Sequence, residues 1–366
     1  MRHRPLFALC LALVACSESP PPASLSVTEQ LGGAPAEGFL RAEAPREFRF
    51  PEDHGPHAGF RNEWWYLTGN LDGADGRRFG YQATFFRIAL DPTPATRHSH
   101  WAASEVWMAH LAVSDATTAT HRGVERFARA AAGLAGAETE PLRVWLEDWT
   151  LDSDDGGATW RLRATTDDFG LDLALRPSRP AILQGEAGLS RKSAEPGNAS
   201  YYYSLPRLET QGTVTLGGGR HAVNGLSWLD REWSTSVLGA QQVGWDWLAL
   251  QLADGRDLMY YRLRRKDGRI DAMSRGSLVD AEGRRVELGI DLSLQPARWW
   301  TAPDGRRFPV EWDLVVPGET RTLRVAAVFD DQYMKLAVRY WEGMVDVRDR
   351  GTGESLGRGY LEMTGY

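Results

Sequence analysis

Hydrophobic and polar residues alternate along much of the chain, and this period of two is the strongest structural signal in the sequence. Phenylalanine or leucine occupies every second position of 169–175, and valine, leucine or isoleucine does so in 286–294. In 143–152, two tryptophans and a leucine share one parity. Because successive side chains of a strand point to opposite faces, each segment is predicted to be a half-buried antiparallel strand.

Turn signals separate these segments. The best helical candidate is 123–135, which is alanine-rich and could equally be a loop. The sequence therefore predicts an all-β chain of the barrel or sandwich class. Tight turns are predicted where an acidic residue precedes glycine, at Asp75-Gly76, Asp155-Gly156, Asp254-Gly255, Asp267-Gly268, Glu282-Gly283 and Asp304-Gly305.

The chain also contains an internal repeat. Residues 64–71 align with 245–252, and 211–216 align with 342–347. Two copies that begin and end on similar strands suit a closed sheet, in which the first and last strands pair and no edge remains. We therefore predict one domain at 48–235 and a second at 243–366. Residues 16–47, which include three consecutive prolines, are predicted to be a disordered tether.

The N-terminus has the features of an export signal, predicted to span 1–15. Two arginines precede an apolar run that is too short to span a membrane. The run ends in Leu13-Val14-Ala15-Cys16, which resembles the lipobox of bacterial lipoproteins. This resemblance implies cleavage before Cys16, acylation of its thiol and, with no aspartate following, an outer-membrane lipoprotein on the periplasmic face. The alternative is a plain secretory peptide with a chance cysteine.

Composition narrows the range of partners. The 366 residues carry 42 Lys+Arg against 49 Asp+Glu, which gives a net charge of -7. The chain therefore lacks the excess of basic residues that binds the phosphates of nucleic acids. The sequence has no Gly-x-Ser-x-Gly, Gly-rich phosphate loop, His-Glu-x-x-His or Cys-x-x-Cys motif. These absences argue against an α/β-hydrolase, a kinase, a zincin and a redox enzyme, and we predict no cofactor.

Four motifs together resemble the AttH family, which is related to the carotenoid 1,2-hydratases. The resemblance implies two tandem lipocalin-like (calycin) antiparallel β-barrels, frequent association with ABC-type exporters and a role in handling lipids. It covers nearly the whole chain after the signal. The motifs are 63–71 (EWWYLTGNL), 228–233 (WLDREW), 244–252 (GWDWLALQL) and 359–366 (GYLEMTGY).

Histidines near the first strand are a weak candidate for a metal site. His54, His57 and Glu63 lie within ten residues of one another, and His110 follows later. Imidazole and carboxylate groups are suitable zinc ligands. The spacing is unspecific, however, and we expect these residues to hydrogen-bond the segment that leads into the barrel.

Charged residues cluster between two apolar strands. One interpretation is a salt-bridge network between the domains, because buried charges need partners. The other is the polar end of an apolar pocket, where a carboxylic acid with a raised pKa protonates a substrate. The candidate catalytic residues are Asp230, Glu232, Trp233 and Tyr260.

The resemblance to the hydratases places their proposed catalytic set at Arg231, Trp233, Tyr260 and Arg262. The tryptophan and tyrosine are retained, whereas arginine replaces the histidine and the aspartate. A guanidinium is a poor proton donor, which argues against that type of hydratase. Arginine at a barrel mouth instead suits a ligand carboxylate or phosphate.

The tryptophans have two interpretations as well. They either fill the barrel ends as core, with one on the first strand packed under an arginine as the calycin resemblance implies, or they face a cavity for a small ligand. The predicted ligand-binding residues are Trp64, Trp65, Arg231, Trp245, Asp246, Trp247 and Arg262.

Three functions follow from these observations. The first is the binding or delivery of a lipid or other apolar molecule, with ABC transporter subunits as the expected partners. The second is a hydratase acting on an isoprenoid or acyl double bond. The third is a non-catalytic accessory scaffold of a transporter.

Overall fold

The computed structural model describes residues 37–93, 103–236 and 238–366. The predicted signal peptide, Cys16 and most of the predicted tether lie outside these ranges. Within them, one short 3-10 turn at Glu52–His54 is accompanied by twenty-three β-strands. No helix in the described part is both long and apolar enough to cross a membrane. The all-β prediction is confirmed.

The first barrel is a sheet of thirteen antiparallel strands. Its strands are β1 (Asn62–Gly73), β2 (Arg78–Ala89), β3 (Glu105–Asp115), β4 (Thr120–Arg129), β5 (Ala135–Thr139), β6 (Leu142–Leu146), β7 (Trp149–Ser153), β8 (Trp160–Thr165), β9 (Phe169–Pro177), β10 (Ile182–Leu183), β11 (Leu189–Arg191), β12 (Ala199–Leu216) and β13 (Gly219–Ser234). Their order is β4-β3-β2-β1-β13-β12-β9-β8-β7-β6-β5, and β10 and β11 also pair with β12.

The second barrel is a sheet of ten strands. They are β14 (Gln242–Leu252), β15 (Asp257–Arg265), β16 (Arg275–Val279), β17 (Arg285–Leu288), β18 (Ser293–Thr301), β19 (Arg307–Val315), β20 (Thr322–Ala327), β21 (Tyr333–Lys335), β22 (Arg339–Asp349) and β23 (Ser355–Met363). Their order is β17-β16-β15-β14-β23-β22-β20-β19-β18, and β21 also pairs with β22.

Both sheets curl into near-barrels and follow the internal repeat. The first strand of each sheet pairs with its last, β1 with β13 and β14 with β23. The aligned segments take equivalent places in β1 and β14 and in β12 and β22. The sheets nevertheless end at β4 and β5 and at β17 and β18. The expected pairing of first and last strands is therefore confirmed, whereas the expected loss of every edge is wrong.

Three local predictions are corrected by the structure. The candidate helix 123–135 instead contains most of β4. The segment 143–152 is a hairpin, because Glu147 adopts a φ of 56° and reverses the chain between β6 and β7. The segment 286–294 also turns, between β17 and β18. By contrast, β9 contains 169–175 as predicted, and each predicted acidic-glycine turn has its glycine at positive φ.

Tryptophan side chains fill much of the first barrel. Trp65, Trp107, Trp149 and Trp160 are at most 1% exposed and belong to one hydrophobic cluster. The guanidinium of Arg231 lies 3.9 Å from the centre of the Trp65 ring. This is the tryptophan on the first strand beneath an arginine that the calycin resemblance implies.

The packed body begins before Phe48. Ala42, which lies in the predicted tether, is fully buried in the core of the first barrel. The amide of Leu40 donates a hydrogen bond to the carbonyl of Gly59. Residues 37–47 therefore form part of the folded surface of the first barrel.

Buried and half-buried ion pairs join the two barrels. Arg179 and Arg207 from the first barrel both lie 2.8 Å from the Asp257 carboxylate of the second. Arg78 lies 2.6 Å from Asp346 at another part of the interface. Because these contacts are distributed over several strands, they fix the relative position of the two outer sheet surfaces.

Candidate functional site

An apolar cavity of about 100 Å³ lies between the outer surfaces of the two barrels. We call it the interbarrel cavity. It is lined by Trp64, Tyr66, Thr84, Phe86, Met108, His110, Lys192, Tyr202, Asp230, Glu232, Ser234, Ser236, Leu238, Trp245, Trp247, Tyr261, Leu263, Val338, Tyr340, Glu342 and Glu362.

Strand alternation decides which predicted site residues reach this cavity. Neighbouring residues of a strand face opposite sides of the sheet, so every second residue turns into a barrel interior. The predicted residues that line the cavity are Trp64, Asp230, Glu232, Trp245 and Trp247. Those that do not line it are Trp65, Arg231, Trp233, Asp246, Tyr260 and Arg262.

The residues turned into the first barrel form an ionic network. Arg231 is fully buried, 2.7 Å from Glu63, and it also donates hydrogen bonds to the backbone carbonyls of Trp64 and Gly55. Trp233 stacks on the ring of His57, with ring centroids 3.7 Å apart. These contacts lie within the first barrel, so the expected salt-bridge network between the domains is not formed by Arg231 and Trp233.

An equivalent network lies inside the second barrel. Asp246 is fully buried and pairs with Arg262 at 2.7 Å and with Arg264 at 3.3 Å. The hydroxyl of Tyr260 donates a hydrogen bond to the carbonyl of Gly289 at 3.2 Å. Every position of the hydratase set inferred from the resemblance therefore faces a barrel interior.

The histidine group separates in the structure. His57 hydrogen-bonds Glu63 at 2.7 Å and Asp53 at 3.0 Å, in the segment that leads into β1. His54 lies 2.6 Å from the hydroxyl of Tyr203. These contacts are the hydrogen-bonding role expected from the sequence. No group of three metal-ligating side chains occurs among the described residues.

A row of polar residues crosses four strands on the wall that the first barrel gives to the cavity. Asp230 of β13 lies opposite Tyr66 of β1, Tyr66 opposite Thr84 of β2, and Thr84 opposite His110 of β3. We call these four residues the polar row. Because their side chains share one face of the sheet, they line the cavity together.

Asp230 is the most fully hydrogen-bonded acid of the cavity. Its carboxyl accepts hydrogen bonds from Tyr202 and Ser204, both at 2.6 Å, and from Trp228 at 2.7 Å. Burial raises the pKa of Asp230 to about 7, although these hydrogen bonds act in the opposite direction. Asp230 is therefore both protonated and ionised in substantial amounts near neutral pH.

Glu342 faces the polar row from the second barrel. Its Oε1 accepts a hydrogen bond of 2.5 Å from the hydroxyl of Tyr66, while its Oε2 is buried without a hydrogen-bond partner. Burial, with the nearby Glu362 adding to it, raises the pKa of Glu342 well above its usual range. Burial likewise raises the pKa of Glu362 to about 8. Both shifts favour the protonated form of these side chains.

His110 and Tyr340 adjoin this acid. The Nδ1 of His110 lies 2.7 Å from the hydroxyl of Tyr340, which lies near Glu342. Burial lowers the pKa of His110 to about 3, so its ring is neutral. These groups add polarity to the deep part of the cavity without adding positive charge.

Lys192 supplies positive charge to the lining of the cavity. Its Nζ lies 2.8 Å from Glu232 and 4.3 Å from the centre of the Tyr261 ring. Burial favours the neutral amine, but the Glu232 carboxylate raises the pKa of Lys192. Lys192 and Glu232 thus neutralise each other.

Aromatic side chains from both barrels meet across the cavity. Tyr66 and Trp247 occupy equivalent positions of the repeat, and their rings lie edge to face with centroids 5.1 Å apart. Trp64 and Trp245, also equivalent, line the same cavity. The repeat therefore builds one shared apolar site from corresponding strands.

A second cavity, of about 490 Å³, opens at one end of the second barrel. Its wall includes core residues Leu252, Leu258 and Leu323. Arg256 and Glu319 form an ion pair of 2.6 Å at this cavity. The interior of the second barrel, which was expected to hold a small ligand, is thus partly open here. Buried acids and tryptophans of the predicted site, however, line the interbarrel cavity.

Comparison with known proteins agrees with the fold. The profile of the AttH-like family matches residues 41–366. The chain belongs to the AttH-like family. A solved AttH from Nitrosomonas europaea is 36% identical to this AttH-like protein, covers 90% of this chain and 100% of that chain, and superposes with a TM-score of 0.80.

More distant solved structures share the fold of this AttH-like protein. Kievitone hydratase from Nectria haematococca is 15% identical over 90% of this chain and 96% of that chain, with a TM-score of 0.68. CghA is 13% identical over the same shares of the two chains, with a TM-score of 0.53. No curated protein matches.

Sequence reasoning missed the residues that give the cavity its chemistry. Tyr66, Tyr202, Lys192, Glu342 and Glu362 were absent from the predicted site. A usable signal existed for the two glutamates, because Glu342 lies in an aligned repeat segment, Glu362 lies in the motif 359–366, and each shares the outward parity of its strand. Lys192 carried no such signal, since it belongs to an irregular connection before β12.

Proposed function

We propose that this AttH-like protein binds an apolar, unsaturated small molecule in the interbarrel cavity and that Glu342 protonates it. The observation that carries this proposal is the unpartnered Oε2 of Glu342, buried in an aromatic cavity. A carboxylic acid that stays protonated at neutral pH can act as a general acid. Structural roles usually leave no such atom unpaired.

The reaction class that fits these groups is the addition of water to a carbon–carbon double bond. The O–H bond of Glu342 breaks and its proton forms a C–H bond with one alkene carbon. The faces of Trp245 and Trp247 stabilise the resulting carbocation. Water then bonds to the other carbon and releases a proton to the ionised form of Asp230. The sum is one water added, and the proton returns from Asp230 to Glu342.

The hydratase neighbour supports this class of reaction without deciding it. The name of the Nectria haematococca protein describes a hydratase, and its fold is similar. At 15% identity, this likeness supports a shared fold but not a shared activity. The proposal therefore depends on the acids of this chain, which differ from the inward-facing set that the carotenoid hydratase resemblance implies.

Farnesol, an uncharged isoprenoid alcohol with carbon–carbon double bonds, is a suitable test substrate for the chemistry. We expect the full-length protein to give a product heavier by one water, and Glu342→Gln to lower its rate about a hundredfold or more. Glu209→Gln, on the exposed surface of β12, is the matched control and should keep the rate. Equal rates for Glu342→Gln and the wild type would remove Glu342 from the reaction.

Binding or delivery without chemistry is the second candidate. The tryptophans, Phe86 and Met108 around the cavity favour this role, since they suit any apolar guest. Native mass spectrometry of the purified protein distinguishes the two roles. A carrier retains an apolar molecule and returns it unchanged, whereas a transporter scaffold retains none and purifies with a transporter subunit.

Anchoring in the outer membrane, on the periplasmic face, completes the proposal. It depends on the lipobox-like sequence that ends in Cys16, and a nearby ABC exporter would be the partner suggested by the family resemblance. Replacing Cys16 with serine should release the protein from the membrane fraction. Continued fractionation of the Cys16→Ser variant with the envelope would contradict the anchor.

A further inference from the structure

The hydrogen-bonding groups of the interbarrel cavity lie on its buried side. Asp230, Tyr66, Thr84 and His110 of the polar row are between 1% and 7% exposed. Glu342, which faces them, is 1% exposed and has an unpartnered carboxyl oxygen. The deep end of the cavity therefore offers hydrogen bonds to a ligand atom.

Apart from Ser236 and Glu362, the half-buried residues that line the cavity are apolar. Trp64 of β1 pairs with Phe86 of β2, and both lie on the same face as the polar row, two residues along their strands from it. Together with Trp245 and Leu238 they are half-buried rather than buried. We call these four residues the apolar rim. A ligand that enters past the rim therefore meets apolar surface first and polar groups last.

The charges of the cavity are unequal. The buried acids Asp230 and Glu342 lie at the deep end, and Lys192 is the one cationic side chain among the described lining residues. Lys192 lies beside Glu232, which already neutralises it. A negatively charged ligand group at the deep end would therefore have acids as neighbours and no available cation.

Building on the proposed function, we propose that the ligand is an uncharged amphiphile that binds with its head inward. Its hydroxyl or carbonyl oxygen contacts the polar row, one of its double bonds lies beside Glu342, and the rest of its isoprenoid-like or aromatic body lies against the apolar rim. Free fatty acids and other carboxylates are excluded. An anion would lose its hydration on entering the cavity and gain no opposite charge in return.

Farnesol and farnesoic acid test this inference, because they share one hydrocarbon chain and differ at the head. Quenching of tryptophan fluorescence in the full-length protein at neutral pH reports binding, and Trp247→Phe assigns the signal to the cavity. We expect farnesol to bind about tenfold more tightly or better. Equal affinities, or tighter binding of the acid, would overturn the inference and leave the proposed function standing. Binding of neither probe would overturn both.

Two further measurements test the role of charge separately from folding. Affinity for farnesoic acid should rise as the pH falls through the ordinary carboxyl range of about 4–5, where the ligand becomes neutral. Thr84→Lys places a cation in the polar row and should raise affinity for farnesoate at neutral pH, whereas Thr84→Gln, its uncharged counterpart, should not. An unchanged preference in Thr84→Lys together with a flat pH series would contradict the inference.

Discussion

Two buried glutamates, one inside the first barrel and one between the barrels, show how differently the same side chain can be used. Glu63 is fully buried, 2.7 Å from both Arg231 and His57 and 3.1 Å from Arg87. Glu342 is equally buried, but its neighbours are the hydroxyl of Tyr66 and a second acid. One carboxylate is surrounded by cationic and hydrogen-bonding groups, and the other has no cation.

The pKa shifts of the two groups follow from this difference. Burial alone would raise the pKa of Glu63, but Arg231, His57 and Arg87 together lower it well below its usual range. Burial raises the pKa of Glu342, and nothing positive opposes it. Glu63 is therefore a charged structural group, whereas Glu342 is a neutral acid available for proton transfer. Burial is the same for both glutamates, so the neighbouring charges decide which of them is ionised.

The largest expected effect comes from leaving Glu63 without its main partner. Arg231→Met leaves a buried carboxylate facing Trp65 and should lower the free energy of unfolding by about 3–5 kcal/mol. Urea unfolding followed by tryptophan fluorescence measures this. Arg161→Met is the control, because the ion pair of Arg161 with Asp172 is about half exposed and contributes about 1 kcal/mol or less. Similar losses in both variants would contradict the structural role of the Arg231 pair.

Much of the fold was predictable because alternation and turn residues are local signals. β9 matches its predicted segment, and the repeat indicated strands that take equivalent places in the two sheets, β1 with β14 and β12 with β22. The candidate helix failed because alanine and glycine in β4 suit an edge strand packed on β3 as well as a short helix. The hairpin at Glu147 was missed because a non-glycine residue takes the positive φ there.

The site was less predictable because it is formed by two surfaces far apart in sequence. Alternation in 228–233 could have separated Asp230 and Glu232 from Arg231 and Trp233, since the two pairs face opposite sides of one strand. Nothing local indicated that the outer faces of two barrels would meet. The position of Glu342 near Tyr66 is a tertiary fact, and its chemistry follows from that contact.

The neutral acids should also make stability depend on pH in a direction opposite to that of Glu63. Asp230 and Glu362 have pKa values of about 7 and about 8, above their ordinary values. Below about pH 6.5 the lowered pKa values of His54, His110 and His121 oppose the effect of these acids, because these histidines take up protons only in the unfolded chain. Between about pH 6.5 and pH 8 the folded chain keeps protons that the unfolded chain has released, so stability falls as pH rises, by about 2–4 kcal/mol. Glu63 has a lowered pKa, so the stability that it contributes is instead lost as the pH falls below the ordinary pKa of a glutamate.

Urea unfolding at a series of pH values measures this dependence. Asp230→Asn and Glu362→Gln should each flatten the decline above about pH 6.5, because each removes one raised pKa. Stability that stays constant or rises between about pH 6.5 and pH 8 would show that the cavity acids ionise in the folded protein. The contrast with Glu63 would then disappear.

The smallest expected effect is a gain. Glu342→Gln removes an acid that folding must keep protonated, and it keeps an amide oxygen to accept the hydrogen bond from Tyr66, so we expect about 1 kcal/mol more stability at neutral pH. The matched change Glu63→Gln should destabilise, because it leaves Arg87 and Arg231 without their carboxylate. If urea unfolding shows that Glu342→Gln raises the free energy of unfolding and Glu63→Gln lowers it, the acid in the cavity reduces the stability of the fold. Destabilisation by Glu342→Gln would instead assign Glu342 a structural role like that of Glu63.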